Sequence, residues 1–357
     1  MYETPSLTIW DYISLPLAAM QIVIALASAS FKAGFRGRDG AATVKRHVLY
    51  NGMRAVVENI SIRQYQALNP TTSEAYRAFA KQKRFKPDVI EVADGTLGFW
   101  MGNREAHTIL VWFHGGGYAF AAGQEYMDFL HSLVMKVQSE NSELAVFVIQ
   151  YDLAPHGKYP RQLEQASATV GYLTRDLGKS YSQLLVGGDS AGGNLTIALL
   201  SHLAHPHSKI PALGDPGRGF KGALLLSPWV TFDQSAEAFD RNKMKDCLSL
   251  QGLKSWSRAL MGSAPDDNYN TPLDAPSDWW QDIKAGKVLI LAGEDELLVD
   301  DIMLFAEKLK EHNAQKVEIL VSSGECYNPP ISERQLGIHG KPNMYERKLY
   351  QWITDQI

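Results

Sequence analysis

Gly188-Asp189-Ser190-Ala191-Gly192 sets a serine between small residues, after the apolar run that ends at Val186 and before the helical run Asn194–Leu203. A serine on a tight strand-to-helix turn is a nucleophile held on a strained backbone, and small neighbours let the chain turn without clashes. The turn also places the hydroxyl at a helix N-terminus, whose dipole favours developing negative charge. A second cluster, His114-Gly115-Gly116-Gly117, follows the apolar run Thr108–Phe113. Glycines there leave backbone N–H groups open to a tetrahedral oxyanion, and losing one such donor costs ~2.7–4 kcal/mol of transition-state stabilisation. The expected donors are Gly115 or Gly116, together with Ala191. His114 lies ahead of the serine strand and reads as a residue that orients its loop.

A serine nucleophile needs a base, and the base needs an acid to orient it. Acid candidates gather after the late apolar run Val288–Leu291: Glu294, Asp295, Glu296, Asp300 and Asp301. Counting forward from Gly293 allows Asp295, and the remainder suit solvated positions or the first turn of the helix that carries Ile302–Leu309.

The order HGGG at 114–117, Tyr151-Asp152-Leu153-Ala154-Pro155, GDSAG at 188–192 and then the acidic cluster resembles the hormone-sensitive-lipase-like branch of the α/β hydrolases. It is most similar to fungal-type members with a long helical N-terminal region, and the resemblance covers most of the chain. It implies an α/β-hydrolase fold and a Ser-acid-His triad, in that chain order, which forms an acyl-enzyme. It implies no cofactor, and no cysteine or histidine spacing suggests a metal. Counting back from Leu298-Val299-Asp300-Asp301 puts Glu296 at the family's acid position, so Glu296 is favoured over Asp295.

One departure stands out. The family's histidine follows the last strand in a Gly-x-x-His setting, and here Gly324-Glu325-Cys326-Tyr327 puts Tyr327 in that place. A phenol with a pKa near ~10 cannot take the serine proton at neutral pH as an imidazole does. The nearest histidine is His339, in Gly337-Ile338-His339-Gly340. It completes a triad only if a lengthened loop brings it back to Ser190, and otherwise it is a surface histidine before the final helix Met344–Ile353. His202, His205, His207 and His312 read as helix-end or loop residues.

The elements that must hold these residues alternate. Val89–Val92 and Leu97–Met101 read as edge strands. Thr108–Phe113, Ala145–Gln150, Gln183–Val186, Ala223–Leu226 and Val288–Leu291 read as buried strands, and Val317–Val321 as the last strand. Between them lie helical runs such as Tyr126–Val137, Leu163–Asp176 and Ile302–His312. Such alternation predicts an α/β fold with a mostly parallel central sheet flanked by helices. Residues 1–85 are helical in pattern and 229–286 form a long Trp-rich excursion, so both are expected to build a helical cap over a core of 86–228 and 287–357.

Within the first region, Ile13–Ser30 is uncharged and mostly apolar. Glu3 and Asp11 precede it where a secretory signal would be basic, so secretion is not expected. A cap helix over the active site is the preferred reading, with a membrane span or a membrane-surface helix as alternatives, and Lys32, Arg36 and Arg38 would suit an anchor facing the cytoplasm. Only Cys247 and Cys326 are cysteines, which suits a reducing compartment. The expected location is cytoplasmic, with association with the endoplasmic reticulum membrane left open. A net charge of -4 with scattered basic residues argues against nucleic acid as a partner. The sequence also admits membrane-surface contact through residues 13–30 and a homodimer.

Three functions compete. With tyrosine at 327, a non-hydrolytic reaction on a bulky hydrophobic carbonyl or ester substrate is favoured: a cyclisation, condensation or isomerisation in secondary metabolism. Its alternative is a serine carboxylic ester hydrolase with His339 as base. A non-catalytic binder of lipophilic ligands ranks last, because it would need neither the elbow nor the oxyanion loop.

Overall fold

Eight apolar runs become the eight strands of one sheet: β1 (Asp88–Ala93), β2 (Thr96–Met101), β3 (Thr108–Phe113), β4 (Leu144–Gln150), β5 (Leu184–Asp189), β6 (Phe220–Leu226), β7 (Ala285–Gly293) and β8 (Val317–Ser322). The computed structural model describes residues 4–93, 95–338 and 340–357, so the candidate base His339 lies outside the described residues. Their spatial order is β1-β2-β4-β3-β5-β6-β7-β8. All neighbours from β4 to β8 run parallel, whereas β1 and β2 join antiparallel. The expectation of two edge strands is therefore corrected. β1 is an edge, but β2 is paired on both sides, by β1 and by β4, and the second edge is β8.

The central strands carry no polar alternation because both faces are covered. In β3, Ile109, Val111 and Phe113 join one core cluster while Leu110 and Trp112 join the other, as successive side chains must. Twelve helices complete the described chain: α1 (Ile9–Lys32), α2 (Val44–Asn59), α3 (Ile62–Leu68), α4 (Thr72–Lys83), α5 (Gln124–Gln138), α6 (Arg161–Gly171), α7 (Ala191–Ala204), α8 (Glu237–Arg241), α9 (Leu250–Met261), α10 (Val299–Asn313), α11 (Pro329–Gln335) and α12 (Met344–Asp355). α4, α5 and α12 supply the cluster on one face of the sheet, and α6, α7 and α10 supply the other.

The N-terminal helices begin where the sequence writes reciprocal caps: Thr8 with Asp11, Ser61 with Gln64 and Thr71 with Glu74. α1 lies against α2, and α2 against α9 from the 229–286 segment. The two non-core segments thus meet each other on the side of the sheet where β3, β5 and β8 end. Of the Trp-rich stretch, Trp229 packs on Phe232, Trp279 on His205 and Trp280 on Phe305.

Candidate active site

Ser190 is the residue between β5 and α7. Its φ of +52° and ψ of -117° lie where non-glycine residues are strained. Three backbone bonds hold it there: its N–H donates to Leu226 O at 2.9 Å, and its carbonyl accepts from Asn194 and Trp229 at 2.9 and 3.0 Å. Gly192 cannot be replaced without collision, because a Cβ there would strike the carbonyl of Phe113. The apolar strand, the strained serine and the glycine after it are thus one unit in which β5 passes directly into α7.

The glycine loop after β3 divides its labour. The Gly115 N–H donates to Asp189 Oδ1 at 2.9 Å, which removes it from the expected oxyanion donors. Gly116 and Gly117, at φ +91° and +61°, line the cavity above Ser190, and their N–H groups have no protein acceptor among the described residues. Ala191, first residue of α7, likewise has an N–H without an intrahelical partner. The available donors are therefore Gly116, Gly117 and Ala191. His114 is fully buried, stacks on Tyr151 at 4.2 Å and has its Nδ1 2.8 Å from Gly115 O. Burial pushes its pKa down to about 4, so it stays neutral and holds the loop.

Asp189 is the anchor that the sequence alone did not single out. Besides Gly115 it accepts from the Tyr126 hydroxyl at 2.9 Å and the Asn328 amide at 2.8 Å. One carboxyl therefore ties the oxyanion loop, α5 and the loop after β8 to the elbow. Burial raises its pKa to about 7 against the opposing effect of the Tyr126 and Gly115 hydrogen bonds.

On the acid side the structure separates the two candidates. Asp295 points to Lys245, 2.9 Å away, and takes no part in the site. Glu296 is fully buried, and its Oε2 accepts from the Ser227 hydroxyl at 2.7 Å and the Gly293 N–H at 3.1 Å. Its Oε1 finds no hydrogen-bond partner among the described residues. A triad acid would offer such an oxygen to an imidazole N–H. Burial holds the Glu296 carboxyl well above its ordinary pKa, opposed by the Ser227 and Gly293 bonds.

Tyr327 lines the same cavity as Ser190 and keeps some exposed surface there. Burial of its hydroxyl, and next the negative charge of Asp189, raise the phenol pKa well above 10. It is a hydrogen-bond donor at neutral pH and no base. Its loop is held by backbone bonds that ignore its side chain: the Tyr327 N–H donates to Asp246 Oδ1 at 3.2 Å and the Asn328 N–H to Ser227 Oγ at 3.1 Å. Asp246, Ser227 and Asn328 carry no motif of their own. Only the nearness of Asn328 to Tyr327 could have drawn attention to any of them.

Ser190, Gly116, Gly117 and Tyr327 open on a cavity of about 360 Å³. Its other walls come from α1 (Ile22, Leu26), α2 (Leu49, Met53, Val56), α9 (Trp256), α11 (Ile331) and Leu336 just after it, with Glu125 the charged exception. The expected Trp lining reduces to Trp256 alone. No described histidine lines this cavity. Asp246, Cys247 and Cys326 bring one ligand atom each within 4.8 Å of one another. The Asp246 carboxyl already accepts from three backbone N–H groups, of Cys247, Leu297 and Tyr327, so the cluster is occupied in holding loops.

Comparison with known proteins agrees with this geometry. The family described as alpha/beta hydrolase fold matches residues 110–328. Steryl acetyl hydrolase 1 of Saccharomyces cerevisiae is 26% identical over 57% of this chain and 48% of its own length, so the chain spans about half of that relative. An esterase of Acinetobacter venetianus is 25% identical over 73% of this chain and 80% of its own. Among solved structures, an esterase from the bacterial hormone-sensitive lipase family superposes with a TM-score of 0.65 at 20% identity, over 87% of this chain and 98% of that one.

Proposed function

Because this chain belongs to the α/β hydrolase fold family, in its hormone-sensitive-lipase-like branch, we propose that it is a carboxylic ester hydrolase for esters with a bulky apolar part. The observation that carries the reading is the strained Ser190 facing the same cavity as the unpartnered N–H groups of Gly116 and Gly117, with the free N–H of Ala191 next to it in the chain. That arrangement receives an acyl carbonyl: the serine oxygen attacks carbon while the carbonyl oxygen, becoming an oxyanion, enters the donors. The relatives named as an esterase and a steryl acetyl hydrolase support hydrolysis over the cyclisation, condensation or isomerisation that the sequence favours.

In this reading His339 accepts the serine proton and returns it to the leaving alcohol, and Glu296 is the acid behind it. One observation supports the assignment: Ile338, its neighbour in the chain, packs on the cluster of Tyr50, Cys247 and Cys326 that also holds Tyr327. Tyr327 then orients the Ser190 hydroxyl as a neutral donor.

The phenol of Tyr327 on the wall of the Ser190 cavity favours a second reading, in which Tyr327 donates to a substrate enolate and no acyl-enzyme forms. One experiment separates the two: hydrolysis of a short-chain aryl ester by the native chain, His339→Ala and Tyr327→His, with fluorophosphonate labelling of Ser190. The hydrolase reading expects labelling, a fall of ~10²–10⁴-fold in His339→Ala and little gain in Tyr327→His. Absent labelling in the native chain, with a large gain in Tyr327→His, would establish the second reading instead.

A further inference from the structure

α1 carries no charge between Asp11 and Lys32 and is mostly apolar, with Ser14, Gln21, Ser28 and Ser30 as exceptions, and a large apolar helix face is ordinarily covered, by protein core or by lipid. Here only one side is covered. Ala18 and Ala29 are buried, Leu26 meets α2 at Gly52, and Ile22 and Leu26 line the Ser190 cavity. At about 100° per residue the opposite face carries Ile13, Leu17, Met20, Ile24 and Phe31, exposed by 59%, 53%, 53%, 58% and 84%. Trp10 and Tyr12 stand exposed at its first turn, and Lys32 and Arg38 at and beyond its last.

We infer that α1 lies in the surface of a lipid bilayer, its outer face among the acyl chains and its basic end on anionic headgroups. Aromatic residues at one end and cations at the other are the groups that settle at that boundary. A spanning helix does not fit: the inner face of α1 is committed to α2, whose Arg46, His47 and Arg54 would be drawn into hydrocarbon with it. A second copy of this chain fits less well, because helix-on-helix contact covers a narrow seam while the exposed apolar residues, from Tyr12 and Val23 on one flank to Trp10 on the other, spread over nearly half the circumference. Since α1 is also a cavity wall, one helix separates lipid from Ser190. A lipid-dissolved ester would then reach the nucleophile without crossing water, a consequence that rests on the ester-hydrolase reading.

Vesicle flotation of the full chain tests the docking without reference to catalysis. The chain is expected to float with phosphatidylcholine vesicles, and more completely when phosphatidylserine is included. The triple variant Ile13→Asn, Leu17→Asn, Ile24→Asn changes exposed positions only, so it should keep its circular dichroism spectrum and stay at the bottom of the gradient. Its rate on a water-soluble ester should stay within about twofold, while an ester dispersed in vesicles is hydrolysed at least ~10-fold more slowly. A native chain that fails to float, or a triple variant that floats as well, overturns the inference. So does a native dimer that the triple variant splits, which would make the face a contact between copies. If neither ester is hydrolysed while the native chain floats and the variant does not, the docking stands and the ester-hydrolase reading falls.

Discussion

Around Ser190 the features that do chemistry are features of the backbone: a serine φ of +52° and the free N–H groups of Gly116, Gly117 and Ala191. They follow from β3 and β5 ending side by side, with Gly188 beside Phe113 in the sheet. Across the cavity, between β7 and α11, the proposed chemistry would fall to side chains, Glu296 and Tyr327. The backbone there is held by Asp246 and Ser227 whatever residue stands at 327. The first region cannot lose a part without disturbing the sheet. In the second region the loop is held whatever side chain stands at 327, and Glu296 keeps an Oε1 without a hydrogen-bond partner among the described residues.

The contrast is open to attack from both sides. The largest expected effect is on the backbone side. Gly116→Ala puts a Cβ 2.9 Å from the Phe120 carbonyl at a φ of +91°, so its N–H must turn away from the oxyanion. Ester hydrolysis should fall ~10²–10³-fold in kcat with little change in KM. Next comes the acid. Glu296→Gln should lower kcat by about 10²-fold, whereas Asp295→Asn, which only loosens Lys245, should stay within about twofold. Equal effects from the two would mean that burial and hydrogen bonding have misidentified the acid.

A smaller effect is expected at the altered position itself. Tyr327→Phe removes a donor but no base, so kcat should drop by less than about tenfold and the pH profile should keep its shape. A loss as large as that of His339→Ala would make the phenol a direct participant. The smallest effect concerns stability. Asp189 titrates near 7 when folded against an ordinary value of 3.8, so the native state holds a proton that the unfolded chain has released. Its contribution is therefore greatest below pH ~4 and is lost as pH rises toward ~7. Compared with Asp189→Asn, the native chain should lose thermal stability across that window. Parallel melting profiles from pH 4 to 7 would show that Asp189 is ionised in the fold, held by its three donors.

The strands, the elbow and the oxyanion loop were legible in the order of residues because each depends on local requirements. A parallel sheet covered on both faces demands uninterrupted apolar runs, and a strained turn demands small neighbours. Counting from the strands also drew attention to Glu296 and Tyr327, because both lie a short distance after one. What the sequence could not decide were pairings between distant segments. Gly115 was named as an oxyanion donor, yet its N–H is taken by Asp189, seventy-four positions away in the chain. Asp295 and Glu296 are neighbours with the same charge, and only the packing of Lys245 against one and Ser227 against the other tells them apart. The apolar stretch at 13–30 announced that something must cover it, but composition alone cannot say which side of a helix its own protein leaves bare. Hydrogen-bond partners and helix faces belong to three-dimensional neighbourhoods, and those exist only once the sheet has brought remote parts of the chain together.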